Sequence, residues 1–388
     1  MKKIGFLLIF LMFCLLFSFG FGSKEVTEDK IVQEENYFST IRLSAMGGTG
    51  ATFPINLESM LQNPAGLSAK IRKREKSFTI HVYGETYFRP QYIVPILEGI
   101  TTSKNDAQTI LINAKELISS SGAGTATTFG IGFTPVNHTF GFGFYGGMLA
   151  YLRGKPFPLG TEGYIQLSMN LPLAYSFPLF SDAKEALHFG IETHPGIMIF
   201  KNINGSDVDG LTGGTVTVTD LIADVIQHPY YATPFDFGLI YSLLDFPYDF
   251  SEIRFSFVVK NLFGNYFGPG IEIQKIKSKT LVTSGVGLIL PFDLFSLHNS
   301  FLLTAEVSGI NQIIIENSDF WKSLRLGAEL DIENTLFIRG GLTSGYPSIG
   351  LELRLLFASF GFSWQTIEKG LYIGDNPISI FRISIAIK

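Results

Sequence analysis

The chain has 388 residues, of which 46% are hydrophobic and only 16% charged, and its formal net charge is −5. Disorder is excluded because such a chain can shield a large apolar area. The negative net charge excludes a cationic nucleic-acid binder. The single cysteine excludes a disulfide framework. Beyond the N-terminus no run approaches the roughly 20 apolar residues of a spanning helix. These exclusions favour an all-β transmembrane barrel.

Residues 1–22 are predicted to form a secretory signal peptide. Lys2 and Lys3 precede an apolar run from Ile4 to Phe21, and the small pair Gly22-Ser23 follows it. The alternative is an uncleaved membrane anchor, since the apolar run is long for a signal peptide. Cys14, the one cysteine, lies inside the run, so the mature chain is expected to contain none.

Residues 23–76 lack the alternation of a strand and are predicted to form an N-terminal hatch. They contain a glycine-rich turn at 45–51, a short helical stretch from Asn56 to Leu61, and the sequence Asn63-Pro64-Ala65-Gly66-Leu67. A wide barrel needs a plug unless it is an open pore. A pre-barrel segment of this length is the natural candidate.

Residues 77–388 are predicted to form the barrel, an antiparallel sheet of about fourteen strands. Side chains of a strand switch faces at every residue, and segment after segment places apolar residues on one face and small or charged residues on the other. The predicted strands lie near 77–89, 125–134, 138–150, 162–178, 186–201, 232–244, 250–261, 279–290, 299–309, 320–332, 335–343, 347–356, 358–366 and 379–388.

The charged face is predicted to line the lumen. A lipid-facing Arg or Lys at mid-depth costs about 2–4 kcal/mol, so many such residues would prevent insertion. The same alternation points His188 and His194 toward the lumen as polar residues. The charged face carries Glu252, Arg254, Lys260, Glu306, Arg325, Glu329, Arg339, Glu352, Arg354 and Arg382.

The lengths of the connections support a membrane barrel. They alternate between long stretches, such as 90–124 and 202–231, and tight turns, such as Glu333-Asn334. Outer-membrane barrels combine long extracellular loops with short periplasmic turns. A soluble all-β barrel is the alternative, but about eight strands already give the widest interior that side chains can fill.

Several motifs resemble those of the outer-membrane long-chain fatty-acid transporter superfamily (FadL/TodX type), including its PorV-like and spirochaete-type relatives. The motifs are Gly47-Gly48-Thr49-Gly50-Ala51, Asn63-Pro64-Ala65-Gly66, Val259–Gly264, and Leu326–Leu330 leading to Arg339-Gly340-Gly341. The resemblance implies a fourteen-stranded barrel, closed by an N-terminal hatch, that carries hydrophobic molecules across the outer membrane. The chain departs from the family at Phe53-Pro54-Ile55-Asn56, where many members carry acidic residues.

The candidate ligand-binding residues come from two loops and the hatch. Spacings of three and four residues place Ile110, Ala114, Leu117 and Ile118 on one helical face of the first long loop. Ile222 and Val225 lie in a second stretch with the pattern of a short helix. The resemblance implies that such loop helices form a greasy groove where substrate first binds. The alternative is that these faces pack on the barrel rim. Asn63 and Pro64 could lie beside the ligand path, or they could only shape a turn.

No catalytic, cofactor or metal motif is found, so we expect neither an enzyme nor a resident cofactor or metal. The oxygen-rich stretch 202–210 lacks the terminal glutamate of an EF-hand loop. The expected partners are hydrophobic small molecules such as fatty acids, together with outer-membrane lipid. The expected location is the outer membrane of a diderm bacterium. Two alternatives are a PorV-like docking scaffold for secretion partner proteins and an aqueous porin.

Overall fold

The computed structural model describes residues 39–55, 57–69, 78–88, 123–133, 139–154, 161–203, 229–245, 251–264, 280–294, 297–316, 318–368, 373–374 and 377–387. Within these ranges the fold is mostly β, with seventeen strands in one antiparallel sheet. The described part of the chain contains no helix that is long and apolar enough to cross a membrane.

The strands are β1 (Phe78–Phe88), β2 (Ala123–Phe133), β3 (Phe140–Gly154), β4 (Thr161–Asn170), β5 (Leu173–Ser181), β6 (Glu185–Thr193), β7 (Gly196–Ile203), β8 (Tyr230–Ala232), β9 (Phe235–Leu244), β10 (Glu252–Leu262), β11 (Leu281–Leu294), β12 (Leu297–Ser308), β13 (Leu324–Ile332), β14 (Leu336–Thr343), β15 (Tyr346–Arg354), β16 (Ala358–Glu368) and β17 (Pro377–Ile387). The helices are α1 (Ile41–Ala45), α2 (Leu57–Leu61), a 3₁₀ helix (Pro64–Leu67), α3 (Ile310–Glu316) and α4 (Phe320–Ser323).

The burial of the strands follows the alternation in the sequence. On β15, Ile349 and Leu351 are exposed whereas Ser348 and Glu352 are buried. Other strands show the same pattern: large apolar side chains are exposed, whereas polar and charged side chains of the same strands are buried. None of the residues predicted to line the lumen is exposed in the structure. One face of the sheet, the charged face, is therefore buried, and the opposite apolar face is largely open.

Part of the apolar face is covered. Phe257, Val259 and Val282, on β10 and β11, form a buried cluster, and Ile310 at the start of α3 packs against it. The alternation alone predicts these side chains to face lipid. The connection between β12 and β13 folds back onto the sheet and shields them.

Three of the predicted strands are each divided into two by a proline. Pro172 separates β4 from β5, Pro195 separates β6 from β7, and Pro234 separates β8 from β9. A proline has no backbone N–H and interrupts the hydrogen-bond ladder. The breaks are neighbours in the sheet, since Leu171 N donates to Pro195 O at 2.9 Å and His194 N donates to Pro234 O at 3.3 Å.

Within the described ranges, most strands pair with their neighbours in the chain. Strands β9 to β17 pair consecutively, and β1 pairs with β2 on one side and with β17 on the other. The predicted tight turn joins β13 to β14, where Glu333 and Asn334 have φ values of 55° and 53°. This left-handed pair is the backbone of a two-residue hairpin turn that matches the twist of the strands.

The N-terminal segment, defined here as the described residues 39–69, lies on the charged face of the sheet. It carries α1, α2 and the 3₁₀ helix, and nearly all of its residues are buried. Helix α1 packs against β15 and β16, whereas the 3₁₀ helix packs against β5, β6 and β9. The segment therefore spans much of the width of the sheet.

Candidate functional site

An ionic network joins the N-terminal segment to the charged face. The Arg42 guanidinium contacts Glu58 Oε2 at 2.6 Å and Glu329 Oε2, on β13, at 3.0 Å. Glu329 also binds Arg339 at 2.7 Å. All four side chains are almost fully buried. A buried charge that loses its partner is strongly destabilising, so this network fixes α1 against β13 and β14.

The electrostatic balance at Arg42 is set by opposing effects. Burial by itself lowers the pKa of the Arg42 guanidinium, because it removes water from the charged form. The carboxylates of Glu58 and Glu329 favour that form, and they raise the pKa above its usual value. Arg42 is therefore charged throughout the ordinary pH range.

The first turn of α1 orients this network. Thr40 caps the helix, since its Oγ1 accepts a hydrogen bond from Leu43 N at 3.1 Å. The same hydroxyl donates to Glu58 Oε1 at 2.5 Å. A threonine cap stabilises a helix start by about 1 kcal/mol. Here it also aligns the carboxylate of α2 toward Arg42.

The far end of α1 is fixed to β15 and β17. Ser348 Oγ donates to the backbone carbonyl of Ala45 at 2.9 Å, and Arg382 Nη1 donates to Ser44 Oγ at 2.5 Å. The chain then turns through Gly47 and Gly48, whose φ values of 67° and 81° suit glycine. The turn leads the chain along the charged face toward β12.

Glu306 of β12 holds the end of the glycine-rich turn. Its two carboxylate oxygens accept hydrogen bonds from Gly50 N at 3.1 Å and Thr52 N at 2.9 Å. The next residue, Phe53, places its ring 4.8 Å from the Arg254 guanidinium carbon, which is a cation–π contact. Glu306 and Arg254, both supplied by the sheet, therefore hold residues 50–53 of the N-terminal segment.

Asn63 and Pro64 form the turn at which the 3₁₀ helix begins. Asn63 caps the 3₁₀ helix, since its Oδ1 accepts from Ala65 N at 3.1 Å, and its Nδ2 donates to Ala51 O at 2.7 Å. A longer contact of 3.4 Å joins Nδ2 to Leu239 O on β9. Asn63 is fully buried, and these bonds are those of a residue that shapes a turn.

Hydroxyl groups hold the end of the segment. Ser68 Oγ lies 2.6 Å from Ser176 Oγ on β5 and 2.9 Å from His188 Nδ1 on β6. The His188 side chain is buried on the charged face, as the sequence predicts. The polar contacts of the segment therefore extend from β5 to β17.

Glycines on the charged face make room for the N-terminal segment. A Cβ at Gly190 would overlap the backbone of Pro64 and Ala65, and a Cβ at Gly238 would overlap the Asn63 side chain. The same close approach to the segment recurs at Gly130, Gly132, Gly141, Gly287, Gly327, Gly341, Gly350 and Gly361. The segment and the inner surface of the sheet are therefore sterically matched.

Of the residues predicted to bind ligand, the structure places Asn63 and Pro64 together in this turn. Ile110, Leu117, Ile118, Ile222 and Val225 lie outside the described residues. The sequence reasoning did not single out Arg42 or Glu58. Their only signal is that each is a charged residue in a segment otherwise rich in apolar and small residues.

One further group of polar side chains lies on the charged face. Among the described residues, Glu192, His194 and Asp236 bring three possible metal-ligating atoms within 4.8 Å of one another. They lie at the proline breaks of the sheet, beside the N-terminal segment.

Comparison with known proteins gives similarity only at the level of solved structures. No family model matches the chain, and no curated protein matches it. The toluene transporter TodX of Pseudomonas putida is similar at 10% identity and a TM-score of 0.41, covering 90% of this chain and 97% of that one. A TodX deltaS2S3 mutant, a monoaromatic hydrocarbon channel, gives 10% identity and a TM-score of 0.46 over 89% and 96%. The translocator domain of the autotransporter NalP from Neisseria meningitidis gives 6% and 0.35 over 86% and 95%.

Proposed function

We propose that the chain forms a closed outer-membrane barrel of about fourteen strands. The support is the pairing of β1 with both β2 and β17, together with the three proline-divided strands, each of which continues one crossing. A closed barrel satisfies every backbone hydrogen bond without an exposed edge, which a bilayer requires.

The observation that carries the membrane assignment is the inverted burial of the sheet. Arg254 and Arg382 are among the largest fully buried side chains, whereas Ile383 is 65% exposed. In a soluble protein the open apolar face would be costly to hydrate, at about 25 cal/mol per Å². In a bilayer the same face meets lipid, and the charged face lines the interior.

The proposed domains are a signal peptide at 1–22, a hatch at 23–76 and the barrel at 77–388, in the outer membrane of a diderm bacterium. The support for the hatch is that the N-terminal segment contacts the charged face from β5 to β17 through hydrogen bonds and ion pairs. The segment also buries apolar side chains such as Phe53, Met60 and Leu67, so its displacement must overcome apolar burial as well as these polar contacts.

The function that we propose is passive uptake of hydrophobic small molecules such as fatty acids. A hydrophobic solute crosses a polar outer leaflet poorly, and a barrel that guides it past that layer removes the barrier without energy input. Ile110, Leu117, Ile118, Ile222 and Val225 are the proposed first contacts on the extracellular loops. Asn63 and Pro64 are the proposed contacts at the hatch.

Radiolabelled oleate tests this proposal. The purified mature barrel in detergent should bind oleate saturably. A diderm host that lacks its own fatty-acid uptake barrel should take up the label faster when it expresses this chain. The control is a variant without residues 39–69, which should conduct ions in planar bilayers. If oleate does not bind saturably and secreted proteins co-purify with the barrel, the docking role replaces the uptake proposal. If the intact protein shows a large, steady conductance, the porin function replaces it.

A further inference from the structure

Glu192 and Asp236 are direct cross-strand partners on β6 and β9, and both side chains are buried. Like charges that face each other across two strands repel, and burial in a low-dielectric interior increases the cost. His194 completes the group, since its Nδ1 lies 3.9 Å from Glu192 Oε1 and 3.9 Å from Asp236 Oδ2. Such an arrangement is relieved by a proton on one carboxylate or by a positive charge between the two.

The contacts of this group leave ligand atoms available. Glu192 Oε2 and His194 Nδ1 are buried and, within the described residues, have no hydrogen-bond partner. The Glu192 side chain is 1% exposed and the His194 side chain is 11% exposed. Asp236 Oδ1 is oriented by Asn261 N, which donates to it at 2.7 Å. One carboxylate is thus fixed in place, while the other carboxylate and the imidazole converge with free lone pairs.

The sequence explains why these atoms meet. His194 lies in the break before Pro195, and its backbone N donates to the carbonyl of Pro234, the break in the neighbouring strand. Side chains two residues apart in a strand share a face, so Glu192 and His194 both lie on the charged face. The backbone hydrogen bond between the two breaks holds the imidazole beside the carboxylate pair.

We propose that Glu192, His194 and Asp236 bind a divalent transition-metal cation of the Zn²⁺ class. The three ligand atoms lie within 4.8 Å of one another, so an ion at their centre is at most about 2.8 Å from each, and an inward shift of under about 1 Å reaches the roughly 2.0–2.2 Å of zinc ligation. Two carboxylates and a neutral imidazole balance the charge of the ion, and imidazole favours zinc over calcium or magnesium. Three protein ligands leave a fourth position for water or another ligand.

The proposed site adjoins the Asn63–Pro64 turn. Glu192 and Asp236 lie two residues along the same strand faces from Gly190 and Gly238, which abut that turn. A bound ion would join β6 and β9 at the point where the N-terminal segment rests. The site is a property of the sheet and does not depend on whether the protein transports a solute.

Lys260 is the alternative counter-ion. Its positive charge acts on the Glu192 carboxylate, but a single ammonium cannot neutralise two carboxylates. The Lys260→Met variant therefore separates the two possibilities. Zn²⁺ affinity is retained or increased in this variant if the metal is the natural counter-ion. Affinity that falls with the loss of Lys260 would contradict direct ligation.

Zinc titration calorimetry tests the site on the mature protein, purified in detergent without a histidine tag and stripped with chelator. We expect one Zn²⁺ per chain, and at least about tenfold weaker binding in Glu192→Gln, since even loss of an outer-shell contact costs this much. Co²⁺ should give the visible absorption of a four-coordinate site in the wild type only. The matched control is His188→Gln, another buried histidine of the charged face, which should bind Zn²⁺ as the wild type does.

Heat-dependent gel mobility reports whether each variant still forms a barrel. If Glu192→Gln does not fold, His194→Gln takes its place. This variant removes a metal ligand but leaves both carboxylates, so the repulsion between Glu192 and Asp236 is unchanged. The proposal is overturned if the wild type shows no stoichiometric Zn²⁺ binding. It is equally overturned if the folded ligand variants bind Zn²⁺ as tightly as the wild type, which would indicate a surface site elsewhere.

Discussion

Arg42 of the N-terminal segment and Glu329 of β13 form a buried ion pair, with Arg42 Nε donating to Glu329 Oε2 at 3.0 Å. The pair is the central contact between the segment and the charged face, because Glu329 also binds Arg339, and Arg339 binds Glu352. A single side chain of the segment is thus connected to β13, β14 and β15.

The substitution Arg42→Met should loosen the N-terminal segment without unfolding the sheet. It leaves Glu58 buried without its cation, and breaking a buried pair in this way costs about 3–5 kcal/mol. Glu329 keeps Arg339. The expected result is frequent channel opening in planar bilayers, where the wild type is mostly closed.

Arg354→Met is the matched control for this experiment. Arg354 pairs with Glu352 and with Asn334, within the sheet itself, so its loss removes an arginine without touching the N-terminal segment. Equal channel activity in the two variants would contradict the role of Arg42 in closure.

Gly238→Ala should displace the Asn63–Pro64 turn. The added methyl would overlap the Asn63 side chain, which is fixed by its bonds to Ala51 and Ala65, so the segment must shift away from β9. We expect increased protease cleavage within residues 39–69 while the barrel retains its heat-dependent mobility. Gly340→Ala is the control, because its Cβ would meet only Ser348 O at 3.8 Å. Unchanged protection in Gly238→Ala would show that the segment does not occupy this position.

A disulfide between the N-terminal segment and the sheet should block transport. Ser68 Oγ and Ser176 Oγ lie 2.6 Å apart, so the double variant Ser68→Cys and Ser176→Cys is close enough to form a bond. The mature chain is expected to lack other cysteines, so no other thiol should compete for the disulfide. Oleate uptake should stop on oxidation and return on reduction.

The control disulfide joins two strands of the sheet. Thr366 Oγ1 and Ser379 Oγ, on β16 and β17, lie 2.9 Å apart, so a cysteine pair there cross-links neighbours without holding the segment. Uptake should be insensitive to its oxidation. Uptake that also persists in the oxidised Ser68–Ser176 pair would mean that solute passes without movement of the segment.

The side of the sheet on which each strand residue lies could be predicted from the sequence, because the alternation depends only on neighbouring residues. A charge or an apolar residue at every second position fixes which side of the sheet it occupies, and this holds on β13 and β15. The divided strands were not predicted, because the alternation in 162–178 or 186–201 continues through the proline. The local signal of each break is the missing backbone N–H of Pro172 or Pro195.

The contacts of the N-terminal segment could not be predicted because they join residues far apart in the chain. Nothing near Arg42 indicates Glu329, and nothing near Asn63 indicates Gly238. The alternation of Phe140 and Phe142 with Gly141 showed a small-residue face, but the neighbour that fills the space is a distant segment. In the same way, the short spacing from Glu192 to His194 is visible locally, whereas Asp236 joins them only through strand pairing.

The orientation of the sheet in the bilayer is tested most directly by nitroxide labels along β17. Single cysteines replace Ile383, Ser384, Ile385 and Ala386, whose native side chains are alternately exposed and buried. In reconstituted vesicles, oxygen should relax the labels at positions 383 and 385 strongly, because oxygen concentrates in the hydrocarbon, and should relax those at 384 and 386 weakly. Equal accessibility at all four positions, or the opposite phase, would contradict a barrel with its apolar face toward lipid.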